Sequence, residues 1–231
     1  MATPLVELAW KLVKQLLARG DKVIAGARNP SAATGLQELK SNKLHIVQLD
    51  VLDINSIKQA YVEVSKIAPE GLDVLVNNAG TVLAFGLNLE TEDASAFTKT
   101  FEANVVSVLE VTRTFLPLLE KRQRRLLVTI SSNVAPNDIV AGMKQDFLGA
   151  SYLVSKAAVN MLNTVFIYYY APKGIVVLPI HPGFVKTDLT STMAAEITPQ
   201  MSVQGMLKVM DNFTIKDSGK FMDYKGDNLP C

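Results

Sequence analysis

Cysteine occurs once in the 231 residues, as Cys231, and histidine only twice, as His45 and His181. No internal disulfide can form, and no His, Cys, Asp or Glu cluster stands at ligand spacing, so neither a disulfide scaffold nor a metal site is expected. Charge of one sign is lacking too. Lys and Arg total 23 against 22 Asp and Glu, and a net charge of +1 gives no electrostatic reason to bind nucleic acid. The one basic cluster, Lys121-Arg122-Gln123-Arg124-Arg125, ends a predicted helix, where the dipole favours cations, and reads as a solvated terminus. No apolar run reaches the ~20 residues that span a bilayer, and no basic stretch followed by a cleavable apolar core opens the chain. A cytoplasmic protein is expected.

What is present is ordinary for one globular domain over residues 1–231: 48% hydrophobic and 19% charged residues. Val6, Ala9, Trp10, Val13, Leu16 and Leu17 recur with helical period, between a capping Thr3 and a terminating Gly20. Short apolar runs at 22–27, 44–49, 72–76, 126–130 and 175–180 read as buried parallel strands. Helices are predicted near 53–67, 93–120 and 151–170, and a final short strand near 219–224. Strands alternating with helices of this length predict an α/β fold, a doubly wound parallel sheet covered on both faces.

Tyr152 and Lys156 stand four apart in a predicted helix and so share one face. An ammonium at that distance favours phenolate, so the spacing predicts a tyrosine pKa below its usual value of about 10. Such a phenol exchanges protons with a substrate oxygen near neutral pH. Upstream, Asn77-Asn78-Ala79-Gly80 follows one strand directly and Ser131-Ser132 closes another. Asn104 lies mid-helix, against its propensity. At the end of the first predicted strand stands Arg28, a planar cationic fork suited to a phosphate.

Taken together, these motifs resemble the short-chain dehydrogenase/reductase family, Rossmann-type NAD(P)-dependent oxidoreductases. The longer segment between Ser132 and Tyr152 is similar to the C-factor and sniffer-like carbonyl reductases and the fungal norsolorinic acid ketoreductase-like enzymes. The resemblance implies a catalytic set of Asn104, Ser132, Tyr152 and Lys156, with Ser131 as the alternative serine. Tyr152 would donate the proton, and Lys156 would tune it and bind the nicotinamide ribose. Asn104 would kink its helix and hold a relaying water. Cofactor contacts are implied at Arg28, Asp50, Val51, Asn77, Ala79, Gly80, Tyr152, Lys156, Val185 and Thr187. Arg28, where an acidic residue would favour NAD, points to NADP ahead of NAD. His181 precedes a Pro-Gly turn and is read as non-catalytic, and His45 as structural. Residues 188–210, Met-bearing and rich in small residues, are read as a mobile substrate lid.

One family feature is missing. The glycine turn T-G-x-x-x-G-x-G, which faces the pyrophosphate from a helix N-terminus, has no counterpart here: the first glycines are Gly20, Gly26 and Gly35. The expectation is a Rossmann-like domain lacking its central first strand, through a shortened N-terminus or as a native variant. Its neighbours must then pair directly or stay apart. The leading function is NADP(H)-dependent interconversion of a small-molecule carbonyl and alcohol by a homodimer or homotetramer. The alternative is a catalytically weak member acting as a binding or regulatory subunit.

Overall fold

Runs of Val, Ile and Leu with no polar alternation suit strands buried on both faces, and they pair in parallel. In the computed structural model, which describes residues 5–83, 89–133, 149–187, 195 and 197–230, they form two sheets. Val23–Ala27 (β1) lies beside Leu44–Gln48 (β2), Val23 opposite Leu44. The second sheet runs β3-β4-β5-β6-β7. There Val74–Asn77 (β3), Leu126–Ile130 (β4), Val176–His181 (β5) and Phe221–Asp223 (β6) are parallel, and Asn228–Leu229 (β7) folds back antiparallel on β6.

Parallel neighbours need long crossovers, and helices supply them. Leu5–Arg19 (α1) precedes β1, and the short Thr34–Gln37 (α2) follows it. Ile54–Ile67 (α3) leads to β3. Ala94–Phe101 (α4), a π-helical turn at Glu102–Val106 and Ser107–Glu120 (α5) lead to β4. Ala150–Tyr170 (α6) leads to β5, and Pro199–Asn212 (α7) to β6. Among the described residues no helix is long and apolar enough to cross a membrane. Alternate residues of β4 serve opposite faces. Leu126, Val128 and Ile130 join Leu8 and Leu12 of α1 with Val203 and Met206 of α7, while Leu127 joins Val108, Leu119, Val159 and Phe166.

Among the described residues, no ladder of hydrogen bonds joins β1 to β3. Of the two outcomes expected for a sheet lacking its first strand, the neighbours stay apart. Burial records the difference: Val74, Leu75 and Val76 of β3 are only half-buried, whereas Leu126, Leu127 and Val128, their register partners on β4, are inaccessible.

One reading changes. Residues 199–210 are scaffold rather than lid, because Val203, Met206, Leu207 and Met210 form an i, i+3, i+4, i+7 stripe packed into the core. Residues 188–194 and 196, the rest of that stretch, lie outside the described residues. The basic cluster ends α5 at the surface, as expected, and its cations also make local bonds. Lys121 donates to the Pro69 carbonyl (3.0 Å), and Arg122 grips the Asp73 carboxylate with two bonds of 2.9 and 3.0 Å. Arg124 donates to Met210, and Arg125 to Arg122 and Lys173, at their carbonyls. These cations tie together the amino-terminal edge of the sheet.

Candidate active site

The opposite, carboxyl edge gathers nearly every residue singled out above, as parallel strands in an open sheet dictate. Arg28 follows β1 and is exposed; Asp50 and Val51 follow β2. Asn77 closes β3, with Asn78, Ala79 and Gly80 just beyond it. Ser131 and Ser132 follow β4, and Pro182 to Thr187 follow β5.

The two serines separate cleanly. Ser131 donates its hydroxyl proton to the Asn160 amide oxygen on α6 and is spent there. The Ser132 hydroxyl shares a hydrogen bond with that of Tyr152. Of the two, Ser132 is therefore the one beside the phenol. Lys156, also on α6, is buried and donates from Nζ to the Ile130 carbonyl at 3.0 Å. Its ammonium lies 5.7 Å from the centre of the Tyr152 ring.

That arrangement overturns the expected phenol pKa. Desolvation pushes Tyr152, whose surface is half-buried, up to about 12, the Ser132 hydrogen bond pulls the other way, and Lys156 spends its bond on a backbone oxygen. Helical spacing puts the two side chains on one face, but desolvation sets the phenol's pKa. Burial likewise lowers Lys156 to about 8 and, together with that nearby ammonium, His181 to about 4. His181 Nδ1 is buried with no hydrogen-bond partner among the described residues.

These shifts predict a pH dependence of stability. Between about 8 and 10.5 the unfolded chain holds a proton that native Lys156 has released, so stability rises with pH there. Above about 10 the sign reverses, because native Tyr152 keeps its proton until about 12. The denaturant midpoint should climb between about pH 8 and 10, and the Lys156→Met variant should lose that climb. A wild-type midpoint that stays flat would contradict the buried ammonium.

Asn104 sits in the π turn, a local departure that recurs at functional sites. Its Oδ1 accepts from the Thr81 amide (2.7 Å), and its Nδ2 donates to the Thr81 carbonyl (3.0 Å) and to Ser155 Oγ (2.9 Å). Ser155 in turn donates to the Tyr152 carbonyl at 2.7 Å. Asn104 thus clamps the segment after β3 to the helix that carries Tyr152. Both amide hydrogens are committed to protein partners, so its side chain has none to donate to the expected water.

The remaining cofactor candidates divide by what already holds them. Asp50 makes a local turn, its carboxylate accepting from the Leu52 amide at 3.0 Å, and Val51 packs against the core beside Ile57. Asn77 donates to Thr112 at 2.9 Å, a buried bond that fixes the end of β3. Ala79 is exposed and Gly80 partly so. Val185 is buried and bridges to Ile197, and Thr187 is half-buried beside it. Gly183, at φ +84, stands where any other residue would be strained, and a Cβ there would lie 2.5 Å from Ile197 Cδ1 and 2.8 Å from Tyr224 Cε1.

A doubly wound sheet with Ser, Tyr and Lys converging at its carboxyl edge is the frame of a nucleotide-dependent oxidoreductase. Residues 8–198 match the short chain dehydrogenase family, and the chain belongs to that family. An uncharacterized oxidoreductase of Schizosaccharomyces pombe is 32% identical over 245 aligned residues, covering 96% of this chain and 93% of the relative. The NADPH-bound carbonyl reductase from chicken fatty liver is 33% identical with a TM-score of 0.90, over 97% of this chain and 94% of that one. Carbonyl reductase Sniffer of D. melanogaster shares the fold at 23% identity and a TM-score of 0.87, over 96% and 94% of the two chains.

Proposed function

We propose that this chain reduces a small carbonyl compound to its alcohol with NADPH, and runs the reverse reaction with NADP. The observation that carries the reading is the shared hydrogen bond of Ser132 and Tyr152, with buried Lys156 one helical turn away. The donor set fits the cofactor at two ends: Lys156 and Thr187 for the nicotinamide half, and the exposed Arg28 for a 2′-phosphate. The sequence offers no glycine turn for the pyrophosphate between them.

When bound, the nicotinamide supplies a hydride to the carbonyl carbon. The chain's own residues handle the oxygen. Ser132 donates a hydrogen bond to it, sharing the charge that develops as the carbonyl π bond breaks. Tyr152, kept neutral by its raised pKa, then gives its proton to that oxygen and completes the alcohol. Lys156 stabilises the phenolate that remains. NADPH oxidation in the presence of a panel of ketones and aldehydes tests the reading, and no turnover above background with any of them would count against it.

The NADP preference rests on Arg28. Arg28→Asp removes the cation and offers the ribose an acceptor. The NADPH-to-NADH ratio of kcat/KM should fall by at least about tenfold, the size of one charged hydrogen bond. An unchanged ratio would make Arg28 an ordinary surface residue.

A homodimer or homotetramer is part of the proposal. It is supported by Phe101, Val154, Met161, Val165, Tyr168 and Tyr169, exposed apolar positions along α4 and α6. The second reading, a catalytically weak member serving as a binding or regulatory subunit, draws on two observations: among the described residues β1 and β3 do not pair, and the sequence has no T-G-x-x-x-G-x-G spacing.

A further inference from the structure

Helix α6 opens on Gly149, whose backbone (φ −63, ψ 149) has the extended geometry of an N-cap but which has no side chain to accept a bond. The first amides of a helix have no partner inside it. Glu92, 58 residues upstream of Ala150, takes two of them. Its Oε2 accepts from the Ala150 amide at 2.7 Å, and its Oε1 from the Ser151 amide at 3.0 Å. The next residue is Tyr152. The Ser151 hydroxyl is buried without a hydrogen-bond partner among the described residues, so the polar hold on these first two amides is that of Glu92. Glu92 is itself held in place, because its neighbour Asp93 caps α4 through the Ser95 amide at 2.7 Å.

We infer that Glu92 is a positioning residue for the proton donor. It fixes the first turn of α6 so that the Tyr152 hydroxyl stays on Ser132. Two-point attachment matters: a single acceptor would let the turn swing about one bond, whereas two oxygens on consecutive amides hold its rotation about the helix axis. The negative charge also suits the positive end of the helix dipole. The inference rests on Tyr152 as donor, so its test needs a readout apart from turnover.

That readout is amide hydrogen exchange over the start of α6, measured by mass spectrometry on the full chain. Glu92→Ala should speed exchange there by about 5- to 30-fold, the effect of losing a helix cap, and should lower kcat at least about fivefold with KM for NADPH unchanged. Glu92→Gln, which keeps one acceptor, should fall between. Adding Gly149→Asp to Glu92→Ala should restore both slow exchange and kcat, because the backbone at 149 already suits a capping side chain. Exchange that does not change in Glu92→Ala overturns the inference, as does kcat that stays low once the local cap has slowed exchange again. A fully active Tyr152→Phe variant would instead remove the donor reading beneath it.

Discussion

Replacing Tyr152 by Phe should lower kcat for carbonyl reduction by at least about 10²-fold, the low end for a positioned general acid. One oxygen leaves, and with it the proton that completes the alcohol. The ring stays, so the helix keeps its packing. Ser132 loses a hydrogen-bond partner, at a stability cost of about 1 kcal/mol. The variant should therefore fold, bind NADPH as the parent does, and fail at turnover. Near-full activity in the purified variant would sink the assignment.

The second large effect concerns the edges of β1 and β3. The 231-residue chain should bind NADPH weakly, because backbone donors to a pyrophosphate contribute roughly 1.5–3 kcal/mol each. Joining an apolar strand of about five residues and a T-G-x-x-x-G-x-G turn ahead of α1 should raise NADPH affinity by about two to four orders of magnitude. It should also raise the melting temperature by at least about 5 °C, since a strand between β1 and β3 would cover the half-exposed Val74, Leu75 and Val76. Low-micromolar binding by the unextended chain, with a normal melting transition, would mean that another segment supplies those donors.

Much of this site was legible before any coordinates. Strand ends and helix periods are local, and a parallel sheet carries every strand's end to the same edge, which is why Arg28, Asn77 and Ser132 fall on one edge. Asn104 announced itself as an asparagine where a helix does not want one. What stayed hidden was set by contacts between distant segments. Nothing local in Glu92 says that it caps a helix 58 residues away. Helical spacing reports proximity but neither desolvation nor the bond of Lys156 to the Ile130 carbonyl, so the phenol's pKa is not legible in it. The core face of α7 is legible, as the stripe at 203, 206, 207 and 210.

The π turn at Glu102–Val106 has a consequence for how this protein can change. Each residue of an α-helix advances its neighbours by about 100°. A π turn holds one residue more than the α turn it replaces while sweeping nearly the same angle, so α4, which buries Thr100, and α5, which buries Val108, Val111 and Phe115, keep their faces on the core around it. Deleting one residue of the turn other than Asn104 would let a regular helix form with α4 and α5 near their present phase, and would shift Asn104 off Thr81 and Ser155. Glu102 and Val106, both exposed, can accept other residue types. What the extra residue holds is the placement of Asn104, so a one-residue deletion spares the two helices and loses the clamp.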